Sequence, residues 1–223
     1  MIGAPLPLTH AALKAKQRAR RASLPEALDL RLHRALSWLE RAEAELDDPD
    51  ARFLFLWIGF NAAYAEERDF ADQAEREAFR AHLARIVALD RRGRIEDVLW
   101  NRFAGEVRAI LRTPQVFRPF WNHVNGIPGH EEWETAFELS TRWLERAMSE
   151  RDTAKVLELL FARLHTLRDQ ILHGGTAWSE GRSRGRVRDG ATVLGTLLPL
   201  VLDIAMDWPD GDWGRPPFPA LDD

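Results

Sequence analysis

The chain contains no cysteine, which excludes disulfides, thiolate zinc sites, iron–sulfur clusters and a cysteine nucleophile. Lysine occurs only at positions 14, 16 and 155, so most cationic chemistry falls to arginine. Long uncharged runs are scarce as well. The run from Ala191 to Leu202 is interrupted by Pro199 and is well short of the roughly 18 to 20 residues that span a bilayer. No membrane span is expected. The opening MIGAPLPL is apolar before any charge appears, unlike an export signal, in which the positive residues come first. A cytoplasmic location is the expectation.

Nucleotide-binding and zinc-protease signatures are missing too. No Gly-x4-Gly-Lys-Ser/Thr, GxGxxG or HExxH occurs, and His123 with His130-Glu131-Glu132 lacks a standard zinc spacing. Neither a cofactor nor a metal site is expected. A net charge of −4 excludes a surface that binds nucleic acid over its whole extent, so any polyanion site must be a local patch.

What is present is a helical period. Apolar residues make up 45% of the 223 residues and charged residues 30%, enough to build a core with a solvated shell. The apolar positions recur at three and four, and no alternating run is flanked by hairpin turns. The spacing predicts helices near 8–22, 25–46, 50–67, 70–88, 94–112, 115–124, 130–150, 152–173 and 190–206. The expected architecture is all-α: an antiparallel helical bundle in one domain over 1–208, followed by a loose Pro/Gly-rich tail at 209–223. FLFLWIGF at 53–60 is apolar almost all round and belongs at the bundle centre, paired with the preceding helix through Leu28, Leu32, Leu36 and Leu39. Phe53, Leu56, Trp57, Phe60, Leu160, Leu164 and Leu167 are the expected core.

The densest chemical signal is RLHTLRDQILHGG at 163–175, where Arg168, Asp169 and His173 precede a double glycine. With this arginine and histidine content roughly one Arg-x4-His pair should arise by chance. Two occur. The other, Arg118 to His123 in RPFWNH, has Pro119 directly after the arginine and is read as a decoy. On an ideal helix, positions five apart differ by about 140° and roughly 7.5 Å along the axis. Arg168 and His173 therefore converge only if the helix frays, the guanidinium reaches along the groove, or two copies meet across a dimer axis; the dimer is favoured. The plainer alternative is a solvated helix-end pair, with His173 a cation at the negative end of the helix dipole.

Downstream, Arg182, Arg184, Arg186 and Arg188 alternate in GRSRGRVRDG. In an extended loop a period of two sets all four on one side, either as an RNA-binding phosphate strip or as a basic loop with no partner. Phe117, Phe120, Trp121 and Trp133 would stack bases, but core packing is the preferred reading of these aromatics.

Arg168-Asp169-Gln170-Ile171-Leu172-His173 resembles the hallmark of the HEPN superfamily, Arg-x4-6-His near the end of a long helix with a polar residue after the arginine. FLFLWIGFNAAYA, with Trp57, Asn61 and Tyr64, is similar to an early core helix of its stand-alone prokaryotic members. The resemblance spans about 28–206 and implies a HEPN-type bundle with additional helices and a homodimer with facing motifs. It also implies a metal-independent endoribonuclease of toxin or defence type, with Arg168, Asp169 and His173 catalytic. The partners implied are RNA and a cognate antitoxin or nucleotidyltransferase. A non-catalytic dimer that binds RNA, a nucleotide or a partner protein is the alternative, and a purely structural helical protein a third. The stretch 70–150 is an insertion in this scheme.

Overall fold

The structure, a computed structural model, describes residues 8–64, 72–175, 177–178 and 184–218. Every described element is helical, and no strand occurs among the described residues. In chain order the helices are α1 (His10–Arg20), α2 (Glu26–Ala44), α3 (Pro49–Tyr64), α4 (Asp72–Leu89), α5 (Arg94–Asp97), α6 (Ala104–Leu111), α7 (Arg118–Val124), α8 (Trp133–Glu150), α9 (Thr153–Leu172) and α10 (Arg184–Asp207).

The chain forms two compact units. One comprises the residues up to Arg92 together with those from Leu194 onward; the other is the continuous stretch Gly93–Val193. The residues expected at one centre are all buried, but Phe53, Leu56, Trp57 and Phe60 belong to the first unit and Leu160, Leu164 and Leu167 to the second.

In the first unit α2 and α3 pack together as their apolar stripes predict. Gly59 permits the close approach: a Cβ there would lie 2.8 Å from Leu198 Cδ2 and 3.4 Å from the Ala35 carbonyl oxygen. Thr9 caps α1 through its hydroxyl, 3.3 Å from the Ala12 N–H. Lys16 of α1 reaches Asp203 and Asp207 at 2.5 and 2.7 Å, tying α1 to the end of α10.

The segment expected as a loose tail is anchored over its described part. Trp213 is only 5% exposed, its indole N–H donates to the Trp208 carbonyl at 2.9 Å, and its ring meets His82 edge-on at 6.2 Å. Arg34 donates to the Phe218 carbonyl and Arg85 to that of Asp212. A large aromatic near the end of the chain outweighs the proline and glycine content around it, because burying it releases far more water than the turns cost in order.

In the second unit α9 lays Val156, Leu157, Leu160, Phe161, Leu164 and Leu167 on the core, against α6 and α8. Asp152 caps it, accepting from the Lys155 N–H at 3.0 Å. The helix expected over 94–112 is broken. The Phe103 N–H donates to the Val98 carbonyl at 3.0 Å, a wide five-residue turn, and the backbone at Phe103 then restarts as α6.

Helix α10 is already formed at Arg184, ahead of the expected 190, because the buried stripe Val187, Ala191, Leu194 and Leu198 runs through the glycines of the expected loop. It is long and apolar enough to cross a bilayer by length and composition. Nevertheless, 72% of its most apolar window is buried inside the protein, the pattern of a core helix.

Two stability tests follow from the first unit. Trp57 is 6% exposed, so Trp57→Ala should destabilise by roughly 3 to 5 kcal/mol, read from the urea midpoint at constant slope. His82 lies among Phe60, Tyr64 and Trp213, and burial, with Arg85 and Arg31 nearby, pushes its imidazole down to about 3. The unfolded ring takes up its proton first, below about pH 6.5, so native stability is present above that pH and is lost progressively as pH falls toward the folded value. Between about pH 7 and about pH 4.5 the wild type should lose more stability than His82→Leu; equal losses would show that this ring does not drive the acid sensitivity.

Candidate functional site

The chemistry-bearing side chains of the second unit gather around the C-terminal half of α9. Asp169 is the hub, its side chain 10% exposed. One carboxylate oxygen, Oδ2, lies 2.6 Å from Arg118 Nη2 and 3.4 Å from His165 Nδ1. The other, Oδ1, lies 3.0 Å from Arg168 Nη1. Arg168 Nη2 in turn lies 3.0 Å from His165 Nε2. Two guanidiniums, one carboxylate and one imidazole form a single network with a net positive charge, and a charge-assisted network of this kind suits a carboxylate with little water around it.

Local structure explains the convergence. His165, Arg168 and Asp169 are spaced three and four apart on α9 and so share one face. Arg118 arrives from the start of α7 and is held there by three ties. The Gln115 carbonyl accepts from the Trp121 indole N–H at 2.7 Å and from the Gln170 side-chain amide. Arg163 of α9 lies 4.3 Å from the Phe117 ring centroid, a cation–π contact immediately before Arg118.

Arg163 is itself unusual, being 5% exposed. It donates to Ser140 Oγ at 2.8 Å and has no carboxylate partner among the described residues. Burial brings its guanidinium down to about 10, and the rings of Phe117 and Phe137 take the place of a counter-ion.

Among the residues picked from sequence, Arg168 and Asp169 are brought together and His173 is not. His173 caps the end of α9 with its ring exposed, and the imidazole makes no hydrogen bond or ion pair with a described residue. Gly174, at φ +68°, turns the chain out of the helix, and Gly175 N–H closes the end onto the Gln170 carbonyl at 2.7 Å.

The basic strip is not extended. Arg184, Arg186 and Arg188 lie on α10, where two residues turn the direction by about 200°. Arg184 and Arg188 share a face while Arg186 points away from them, and burial lowers its basicity. Arg182 lies outside the described residues.

The sequence reading missed Arg118 and His165. Arg118 had been set aside as half of a decoy pair, and its link to Asp169 spans 51 positions, which no local spacing reports. His165 stands three residues before Arg168 and four before Asp169, a helical spacing visible in the sequence, whereas the Arg-x4-His pattern points only downstream. Phe120 packs edge-on to Trp121 and Trp133 at 5.1 and 4.9 Å; these rings and Phe117 are half-buried and lie outside the fully buried core. No group of three or more metal-ligating side chains occurs among the described residues.

The network makes an energetic distinction testable. Asp169→Asn leaves Arg118 and Arg168 facing each other without their shared anion and should lower stability by about 1 to 3 kcal/mol. Arg118 is 56% exposed in its side chain, so Arg118→Ala should change stability by less than about 1 kcal/mol. Denaturant titration of both variants checks the order; the reverse order would mean that Asp169 is not the hub.

No protein-family model matches the chain, and neither the curated proteins nor the solved structures give a significant match to it.

Proposed function

We propose that the chain is a metal-independent endoribonuclease of HEPN type, working as a homodimer in the cytoplasm, with a toxin or defence role and an antitoxin or nucleotidyltransferase as its further partner. The observation that carries the reading is the Arg168–Asp169 pair near the end of α9, joined by a second arginine, Arg118. Two guanidiniums sharing one carboxylate retain a net positive charge that suits a phosphodiester. In this reading Arg168 binds the scissile phosphate and stabilises the charge that builds on its oxygens. His173, exposed at the helix end, exchanges a proton with the reacting 2′- or 5′-oxygen. Asp169 orients its neighbours.

One observation favours the non-catalytic alternative, a dimer that binds RNA, a nucleotide or a partner protein. Both arginines already have an anion in Asp169, and His173 stands apart from them. Binding needs only the positive charge.

Cleavage separates the two. Purified protein should cut RNA in EDTA, leaving a 2′,3′-cyclic phosphate and a 5′-hydroxyl, and an all-deoxy substrate should resist. His173→Ala and Arg168→Ala should each fall by roughly 10²- to 10⁴-fold while remaining folded. His123→Ala, whose ring packs near Trp133, should retain activity. Binding without cleavage across several RNAs would establish the non-catalytic module, and equal activity of wild type and both site variants would mean the active site lies elsewhere.

A further inference from the structure

We infer that His165, rather than His173, is the general base of this site, with Asp169 fixing its tautomer. The inference rests on the RNA-cleaving reading but concerns a residue outside the motif that suggested it. Its warrant is geometric. An arginine has only N–H donors, so at 3.0 Å from Arg168 Nη2 the His165 Nε2 must be the acceptor. A neutral ring that accepts at Nε2 carries its proton on Nδ1, and Nδ1 is the atom that faces Asp169 Oδ2 at 3.4 Å. Two different neighbours therefore specify the same tautomer. Asp169 and Arg168 on α9 and Arg118 from α7 all stand beside the ring, the last sharing Oδ2 with the imidazole.

That arrangement is a base in waiting. The lone pair on Nε2 is oriented by a carboxylate on the far side of the ring, which also stabilises the imidazolium once it forms. The side chain is 46% exposed, so a ribose can reach it. His173 has no such partner among the described residues to set its tautomer.

A phosphodiester engages Arg168 and Arg118, and the Arg168 guanidinium moves from Nε2 to the phosphate oxygens. Nε2 then takes the 2′-hydroxyl proton as the 2′-oxygen bonds to phosphorus. The bond from phosphorus to the 5′-oxygen breaks, and that oxygen takes a proton from the His173 imidazolium. His165 ends protonated and His173 neutral, and exchange of one proton each with water resets both.

The test uses full-length protein and an RNA oligonucleotide. His165→Ala should cut about 10²- to 10⁴-fold more slowly, lose the limb of the pH–rate profile in which rate rises with pH, and regain activity in added imidazole. Its binding of a 2′-deoxy analogue of the RNA should stay within a few-fold of wild type. Nitrogen chemical shifts of the wild-type ring should report the proton on Nδ1, and Asp169→Asn should weaken that preference. A folded His165→Ala that cuts at nearly the wild-type rate while His173→Ala is inactive would overturn the inference and leave the ribonuclease reading standing. A folded, inactive His165→Ala that imidazole fails to restore would show a structural role and overturn it as well. A wild-type protein that cuts no RNA would overturn both. Should His165→Ala not fold, His165→Asn with the same rescue and the wild-type nitrogen shifts decide the matter.

Discussion

A carboxylate held almost out of water is stable only while cations and donors surround it, and Asp169 organises its half of the molecule around that requirement. The last turns of α9 and the first turn of α7 meet because Arg118 and Arg168 both answer to this one side chain. The surrounding contacts then support the arginine that has come furthest. Gln170 holds the turn before α7, the Trp121 indole closes onto the same carbonyl, and Arg163 sits beneath Phe117 where a neutral side chain would have been simpler to bury.

Arg163 also shows how a helix with one apolar face can present two kinds of chemistry. Leu160, Leu164 and Leu167 supply the packing. Arg163, placed among them, exchanges its hydration for aromatic faces and a single hydroxyl, and the lowered basicity of its guanidinium measures how incomplete that exchange is. The adjoining face of the same helix carries His165, Arg168 and Asp169, so the core and the polar network are held in register by one rigid rod.

The parts of this molecule that repeat locally were legible in its sequence. The Leu157, Leu160, Leu164 and Leu167 stripe, the all-round apolar α3 and its pairing with α2 follow from a 3.6-residue period, and so does the all-helical fold. The Arg168–Asp169 pair was legible as well, since adjacent residues need no fold to meet. What escaped depends on tertiary packing. The period alone does not say how the apolar stripes divide between the two units. Arg184 to Gly190 read as loop because glycines and charges conceal a helix that buries Val187 and Ala191. The tail read as loose because composition cannot weigh one Trp213 against several prolines. Arg118 became visible only when 51 positions of chain had folded back.

The division into units has a consequence for the order in which the chain acquires its structure. The second unit is one continuous stretch, Gly93–Val193, whereas the first needs residues from Leu194 onward to complete it. During synthesis the chain emerges from its amino end, so α1 to α4 are made before the second unit, whereas the partners that Gly59, Lys16 and His82 meet are made after it. While the second unit is being made, Phe53, Trp57 and Phe60 thus wait with an unfinished core, the condition in which nascent chains associate wrongly. The contiguous unit has no such delay, and because loop closure must precede long-range contacts, it is the part of the molecule able to fold first.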